Sequence, residues 1–254
     1  MSLNKILFNI KKLMFRLYPR YKTFSTYLFG KKFFIPDKSS FMFMYEEIFE
    51  KEIYKFDTQK QNPLIIDAGA NIGLSTLYFK KLFKNAKVIS FEPDPYIFNF
   101  LEKNIINQKL SDITLINKGL SNKEDTTNFY SEKSDGGRIA QKEDKDSIIQ
   151  VQLTKLSPFL NEEVDFLKID IEGSEIEVLK ECKDNLKNVK NIFVEFHSLT
   201  SKEQELDSLL QILKENGFRY YIENVGIHSD FPFLKINQYS GYDLQLNIWG
   251  YRNI

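Results

Sequence analysis

The chain has 254 residues, 42% of them hydrophobic and 28% charged, with a formal net charge of zero. That is ample for a sizeable core, excludes a disordered chain, and gives no basic excess of the kind a general nucleic-acid binder carries. The one cysteine, Cys182, excludes an intramolecular disulfide and a cysteine-based zinc site; no apolar run is long enough for a membrane span, and the N-terminus lacks a signal-peptide pattern, so a reducing cytoplasm is expected.

Met1 to about Lys22 reads as a basic amphipathic helix, with Ile6, Leu7, Ile10, Leu13, Met14 and Leu17 at helical spacing and Lys5, Lys11, Lys12 and Arg16 between them. Such a helix packs on its own domain or a second subunit, making a homo-oligomer, or lies on an anionic membrane surface as a peripheral contact. Lys32–Ile35 reads as a short strand and Ser40–Phe56 as a helix. Residues 1–56 are read as an N-terminal, largely helical extension and 57–254 as the main domain. From Leu64 the periods alternate. Strands are expected at Leu64–Asp67, Val88–Phe91, Ile113–Asn117, Val164–Asp170 and Ile192–His197. Helices are expected at Leu74–Phe83, Tyr96–Ile106, Ser174–Leu186 and Glu203–Asn216. The polar stretch from Ser121 to Lys155 reads as antiparallel strands with a long loop. Within it, Gly136-Gly137-Arg138 reads as an ordinary turn or as a mobile loop over the site. Arg219–Val225 and Asp243–Trp249 read as a final hairpin. Strand–helix alternation of this kind predicts a mostly parallel sheet covered by helices on both faces.

The first strand ends in Asp67 and runs into Gly69-Ala-Asn-Ile-Gly73; the second ends in Glu92. A strand, a glycine turn, a helix and a strand ending in an acid make a nucleoside-binding unit, the acid taking the ribose hydroxyls. This turn departs from G-x-G-x-x-G: Asn71 stands where the second glycine would be, and Asp67 would repel a pyrophosphate. S-adenosylmethionine, with its ammonium and sulfonium, suits both acids better than NAD. A nicotinamide oxidoreductase and a non-catalytic nucleoside-binding module are the alternatives.

A second constellation follows in Leu167-Lys-Ile-Asp-Ile-Glu-Gly-Ser-Glu175 and Val194-Glu-Phe-His197. Alternation puts Lys168 with Asp170, and Glu195 with His197, at two strand ends where α/β sheets bind ligands. Glu172 opens the next helix. Lys168 pairs with a carboxylate and keeps it ionised. His197 or Asp170 is the expected general base, with Glu172 and Glu195 orienting substrate or base. Asp170, Glu172 and His197 could also hold a hard divalent cation, but their spacing is not specific for one, and no metal is assigned. His228 has no visible partner and reads as surface or substrate-loop material. Phe231, Phe233, Tyr239, Tyr242 and Trp249 could stack on a sugar or fill the core.

Ile66-Asp-Ala-Gly-Ala-Asn-Ile-Gly73, Phe91-Glu-Pro-Asp94, the Lys168–Glu175 motif and Val194-Glu-Phe-His197 together resemble the FkbM family of S-adenosylmethionine-dependent methyltransferases. Glu47-Ile-Phe49 and Glu52-Ile-Tyr54 resemble the segment before that family's first strand. The resemblance covers roughly residues 40–220. It implies a class I methyltransferase fold: a Rossmann-like, seven-stranded, mostly parallel sheet whose last strand is antiparallel. It also implies O-methylation of a hydroxyl on a sugar, glycan or small natural product. By the same likeness Asp67, Gly69 and Asn71, in the turn closed by Gly73, hold the methionine end, Glu92 the ribose, and Asn117 and Gly119 lie near the adenine.

Overall fold

The computed structural model describes residues 22–252, apart from 135, 142, 143 and 145. Except for Lys22, the amphipathic helix expected over Met1–Lys22 lies outside the described residues. Strands β1 (Phe24–Leu28) and β2 (Lys31–Ile35) form an antiparallel hairpin, so the segment before residue 57 is not wholly helical. Helix α1 (Lys38–Tyr45) follows. Its first turn is capped by Asp37, whose carboxylate accepts from the Ser40 amide at 2.9 Å.

The single helix expected over Ser40–Phe56 does not form. After Tyr45 the chain widens into a π-turn over Glu46–Glu50, closed by the Lys51 amide on the Glu46 carbonyl, and Glu52 then takes a positive φ of 53°. Aromatic packing supplies the reason. Tyr45 stacks on Phe49 at 5.0 Å, and Tyr54 and Phe56 reach rings of the central sheet, Phe193 at 4.8 Å and Phe166 at 4.7 Å. Burying all of these rings requires the chain to leave the helix before Tyr54. The widened turn also carries Glu47 into the interior, where it is 7% exposed.

The main sheet is built from β3 (Leu64–Ala68), β4 (Lys87–Phe91), β5 (Ile113–Ile116), β10 (Val164–Ile169), β11 (Val189–Leu199), β12 (Arg219–Asn224) and β13 (Tyr242–Tyr251). Its order is β12-β13-β11-β10-β3-β4-β5, with β13 antiparallel to both neighbours and the other adjacent pairs parallel. The expected seven-stranded sheet, antiparallel last strand and closing hairpin are all present. Helices α2 (Leu74–Leu82), α3 (Pro95–Asn107), α4 (Glu175–Cys182) and α5 (Leu206–Glu215) connect the strands. Strand alternation sends Ile65, Phe166 and Phe193 to one core with the side chains of α2 and α3, and Ile66, Leu167 and Ile192 to the other with those of α4 and α5. The polar stretch forms a second, four-stranded sheet of β6 (Gly119–Leu120), β7 (Asp125–Tyr130), β8 (Arg138–Ile139) and β9 (Ile148–Thr154), in the order β6-β9-β7-β8.

Two features bring the site together. The register sets Lys168 of β10 directly beside Asp67 of β3. Gly69 packs so tightly on the end of β10 that a Cβ there would lie 1.8 Å from the Asp170 carbonyl oxygen, and its φ is +87°. Only glycine fits that contact. The C-terminal ends of β3, β4, β10 and β11 therefore open onto one rim, the position where parallel sheets bind ligands. Phe79, fully buried on α2, is the joint between this rim's support and the N-terminal segment, touching Phe166 at 5.4 Å and Tyr54 at 5.8 Å. Phe79→Ala should destabilise the protein by ~3–5 kcal/mol in urea unfolding; a loss under about 1 kcal/mol would contradict this packing.

Candidate active site

Above that rim lies a cleft of about 1200 Å³, part of it open to solvent. One end lies over the glycine turn between β3 and α2. The Gly69 and Ala70 amides both donate to the Phe91 carbonyl, at 3.1 and 2.8 Å, which locks the turn to β4. Asn71 takes a φ of 48°, a conformation asparagine tolerates better than most residues. Its own side chain accepts from the Ile72 amide at 2.7 Å and donates to the Ser134 carbonyl at 3.1 Å. Its backbone amide donates to Glu92 Oε2 at 3.1 Å. The bond to Glu92 comes from the backbone, but the side chain adds what a second glycine could not, a tie from the turn to the loop between β7 and β8.

Glu92 lines the cleft, and its other oxygen accepts from the Asp94 amide at 2.9 Å. Burial pushes its carboxyl up to about 8; the Asp94 and Asn71 amide bonds and the more distant Lys168 pull the other way, while the Asp94 charge adds to the rise. Gly119, Leu120, Phe129, Ile139 and Leu153 form the apolar wall beyond it. Asn117 does not line the cleft: its amide donates to the Glu92 and Pro93 carbonyls at 2.8 and 3.1 Å and so fixes the β4 turn from behind. Gly73 also stays behind the lining, as the left-handed residue that starts α2.

Asp67 departs from its expected place. It is fully buried beneath the turn and does not line the cleft. Ser75 and Thr76 donate their hydroxyls to Oδ2 at 2.7 Å each, and Oδ1 lies 3.7 Å from Lys168 Nζ. Oδ2 is thus committed to α2, while Oδ1 faces the Lys168 ammonium beneath the turn and makes no hydrogen bond among the described residues. Lys168, 2% exposed, also reaches Asp170 Oδ2 at 3.2 Å and donates to the Gly69 carbonyl at 2.8 Å. Burial works against its charge, but Asp170 and Asp67 outweigh it and hold its pKa above the ordinary lysine value.

The other end of the cleft is acidic. Asp170, Glu172, Glu195 and Glu47 all line it. Glu172 takes a positive φ of 56°, and Tyr242 donates its hydroxyl to Oε2 at 3.0 Å. Gln245 donates to Glu195 Oε1 at 2.9 Å. Glu47 is pushed up to about 8, by burial first and then by Glu195.

His197 is buried behind this lining and does not face the cleft. Its Nδ1 is 3.1 Å from Glu175 Oε1, and its Nε2 is 3.6 Å from both Glu172 and Glu195. Burial alone would discharge the ring, but the Glu172 and Glu175 carboxylates prevail and raise its pKa well above the ordinary value. A histidine that already holds its proton cannot accept one, so the expectation of His197 as general base is corrected.

Sequence reading did not single out Glu47, Gln245 or Glu175 as site residues, and it named Tyr242 only among the aromatics that could stack on a sugar or fill the core. Glu47 had one signal, its place in the segment resembling the family; Gln245 had none, because only the β11–β13 register sets it opposite His197. Of the Gly136-Gly137-Arg138 stretch, Gly137 lines the cleft, while Arg138 is clamped by Asp144 at 2.5 and 2.9 Å. His228 is exposed and pairs with Asp230 at 3.3 Å. Trp249 packs on Phe193 at 5.4 Å and donates to the Ile53 carbonyl, whereas Phe231, Phe233 and Tyr239 are exposed.

A sequence profile described as the Methyltransferase FkbM domain matches residues 67–220. This chain belongs to the FkbM methyltransferase family. It is similar to Methyltransferase sdnD of Sordaria araneosa, at 30% identity over 213 residues, 69% of this chain and 81% of that protein. It is similar also to 2-O-methyltransferase NoeI of Sinorhizobium fredii, at 24% identity over 169 residues, 58% of this chain and 69% of the relative. The crystal structure of Methyltransferase FkbM from Methylobacillus flagellatus superposes with a TM-score of 0.51 at 17% identity, over 79% of this chain and 46% of that one. That likeness establishes the class I fold, although this chain spans less than half of the crystallised one. The FkbM match begins at Asp67, so the turn bearing Glu47 and the strand bearing Gln245 both fall outside it. Among the described residues no helix is long and apolar enough to cross a membrane.

In this FkbM methyltransferase Lys168 lies between two strand-end carboxylates. Lys168→Met, similar in volume, should cost ~3–5 kcal/mol in urea unfolding because it strands Asp67 and Asp170. Adding Asp67→Asn should recover part of that loss; an unchanged single mutant would refute the pairing.

Proposed function

We propose that this protein is an S-adenosylmethionine-dependent O-methyltransferase acting on a hydroxyl of a sugar, glycan or small natural product. The observation that carries the reading is the polarity of this cleft. An apolar wall beside a buried acid, Glu92, suits an adenosine, and four carboxylates at the opposite end suit a ligand bearing ammonium and sulfonium charges. The cofactor fits the residues present: Glu92 would hold the ribose, Gly119 and Leu120 the adenine edge, and Gly69 and Asn71 the backbone-lined bend between. When bound, it supplies the methyl group on a cationic sulfur. The relative named 2-O-methyltransferase supports oxygen as the acceptor atom. The nicotinamide alternative falls with the family assignment; a non-catalytic module remains the reading that an activity assay would exclude. The buried, free Cys182 is in keeping with a reducing, cytoplasmic setting.

The chain's own task is to position the acceptor and take its proton. Asp170 keeps one oxygen on Lys168. Glu195 lines the cleft, is 8% exposed, and has Oε1 held by Gln245. Burial raises its pKa, and Asp170 adds to the rise. A carboxylate made more basic than usual, and fixed by a neighbour, is suited to accept the hydroxyl proton as the new oxygen–carbon bond forms and the carbon–sulfur bond breaks. Glu195 therefore replaces His197 as the proposed base, with Asp170 and Glu172 orienting the acceptor. Glu195→Gln should lower kcat by ~10²–10⁴-fold, a far larger loss than any in calorimetric affinity for S-adenosylhomocysteine; full turnover in this variant would end the assignment.

Glu92 gives a second test. Hydroxyl donors from a ribose favour its ionised form, so binding would release the proton that burial retains up to about pH 8. Asp94 and Lys168 are the charged groups acting on it. Affinity for S-adenosylhomocysteine should rise between about pH 6.5 and 8, by up to about tenfold per pH unit, and level off above. The Glu92→Gln variant should lose this rise; an equal pH dependence in both proteins would place the titrating group elsewhere.

A further inference from the structure

We propose that the loop between β12 and β13, residues 225–241, is an anchor that seats the protein on an anionic lipid surface. Its tip reads Phe231-Pro-Phe-Leu-Lys-Ile236. Phe233 is 105% exposed and Leu234 86%, with Phe231 and Ile236 exposed beside them. Single exposed apolar side chains are ordinary; a contiguous group standing clear of the fold marks an interaction site. The loop is well ordered by its own hydrogen bonds. The Leu234 and Lys235 amides both donate to the Phe231 carbonyl at 2.9 Å. The Asn237 amide donates to Ser229 Oγ and its side chain to the His228 carbonyl, each at 2.8 Å. Polar groups are thus turned inward and paired while apolar ones point out, the reverse of a solvated turn. At the base, Ile227 packs with Leu199 and Tyr242, and Tyr239 exchanges backbone hydrogen bonds with Tyr242.

Shape and charge decide what covers this tip. Nothing of the protein shields Phe233, and none of the four apolar side chains lines the cleft. A projecting tip offers no hollow for a small molecule, whereas a fluid interface closes around it without a shaped partner. The charged residues among the first 22 are Lys5, Lys11, Lys12, Arg16, Arg20 and Lys22, all basic, and each is drawn to anionic headgroups. From there the chain enters β1 at Phe24, which pairs with Ile35. The Lys31 end of this hairpin lies at the far end of α3, where its carbonyl accepts from Gln108 at 3.4 Å. Pro36, at the other end, borders a groove with Tyr96 in the first turn of α3, the turn that follows β4 at the rim. The basic segment therefore joins the fold on the rim side. Residues 225–241 leave from the same side, because β12 ends level with Phe196 of β11.

The loop also returns to the acidic end of the cleft. The Val225 amide donates to the Gln245 carbonyl at 3.0 Å, and the Tyr242 hydroxyl donates to Glu172. A bilayer holding the tip would thus lie beside the acceptor end. The acceptor class that follows is a hydroxyl carried on a lipid; it rests on the methyl-transfer reading, though the anchoring does not.

The test mixes the full chain with sedimenting vesicles of phosphatidylcholine and phosphatidylglycerol in equal parts, and with vesicles of phosphatidylcholine alone. Saturable co-sedimentation is expected with the first and at least about tenfold weaker binding with the second. Phe233→Ser combined with Leu234→Ser should weaken binding to the anionic vesicles by ~100-fold, about tenfold for each side chain withdrawn from lipid. The urea-unfolding midpoint of this variant should match that of the wild type, since neither side chain touches the core. No co-sedimentation by the wild type, or undiminished co-sedimentation by the double variant, would overturn the proposal. So would a lipid-free dimer in light scattering that the double variant converts to monomer, because the tip would then belong to a second copy. Vesicle binding without any S-adenosylhomocysteine binding would leave the anchor standing and remove the methyl-transfer reading instead.

Discussion

The ammonium of Lys168 is the group on which the rest of this structure depends. Parallel pairing of β3 and β10 brings the fully buried Asp67 and the cleft-lining Asp170 to adjacent strand ends. Two unpaired carboxylates there would be intolerable. Lys168 neutralises both and also donates to the Gly69 carbonyl, so the same side chain that balances the charge holds the glycine turn against β10. The cofactor-type turn and the acidic end of the cleft are therefore one electrostatic unit. A change at either strand end is felt at both.

Beyond that unit the negative charge exceeds what Lys168 can balance. Glu172, Glu175 and Glu195 gather around one imidazole, with Glu47 acting on Glu195 beyond them, and the consequence is acids pushed upward and a histidine whose pKa is raised. A site with surplus buried carboxylate is arranged for a cationic visitor.

The apolar end is assembled differently. Its wall comes from a small sheet that is not continuous with the main one, and Asn71 links the two through the Ser134 carbonyl. Asn117 supports the β4 turn without reaching the cleft. The family motif thus contains residues of two kinds, those that line the cleft and those that hold the lining residues in place. Gly69, Asn71 and Glu92 are of the first kind; Asp67, Gly73, Asn117 and His197 are of the second.

The sequence by itself determined the alternating strands and helices, the glycine turn between β3 and α2, and the grouping of Lys168, Asp170, Glu195 and His197 at neighbouring strand ends. Those features are local: period-2 and period-3.6 patterns, turn chemistry, and a fixed place at the end of a strand. Tertiary structure alone decided which of the grouped residues face the cleft and which charge states they hold. Asp67 turned inward because two α2 hydroxyls claim it, and His197 kept its proton because carboxylates from separate segments converge on it. Glu47 reached the site only because aromatic packing opened a π-turn, and Gln245 only through antiparallel pairing with a strand some fifty residues earlier. Burial and cross-strand register are properties of the assembled sheet, so no window along the chain contains them.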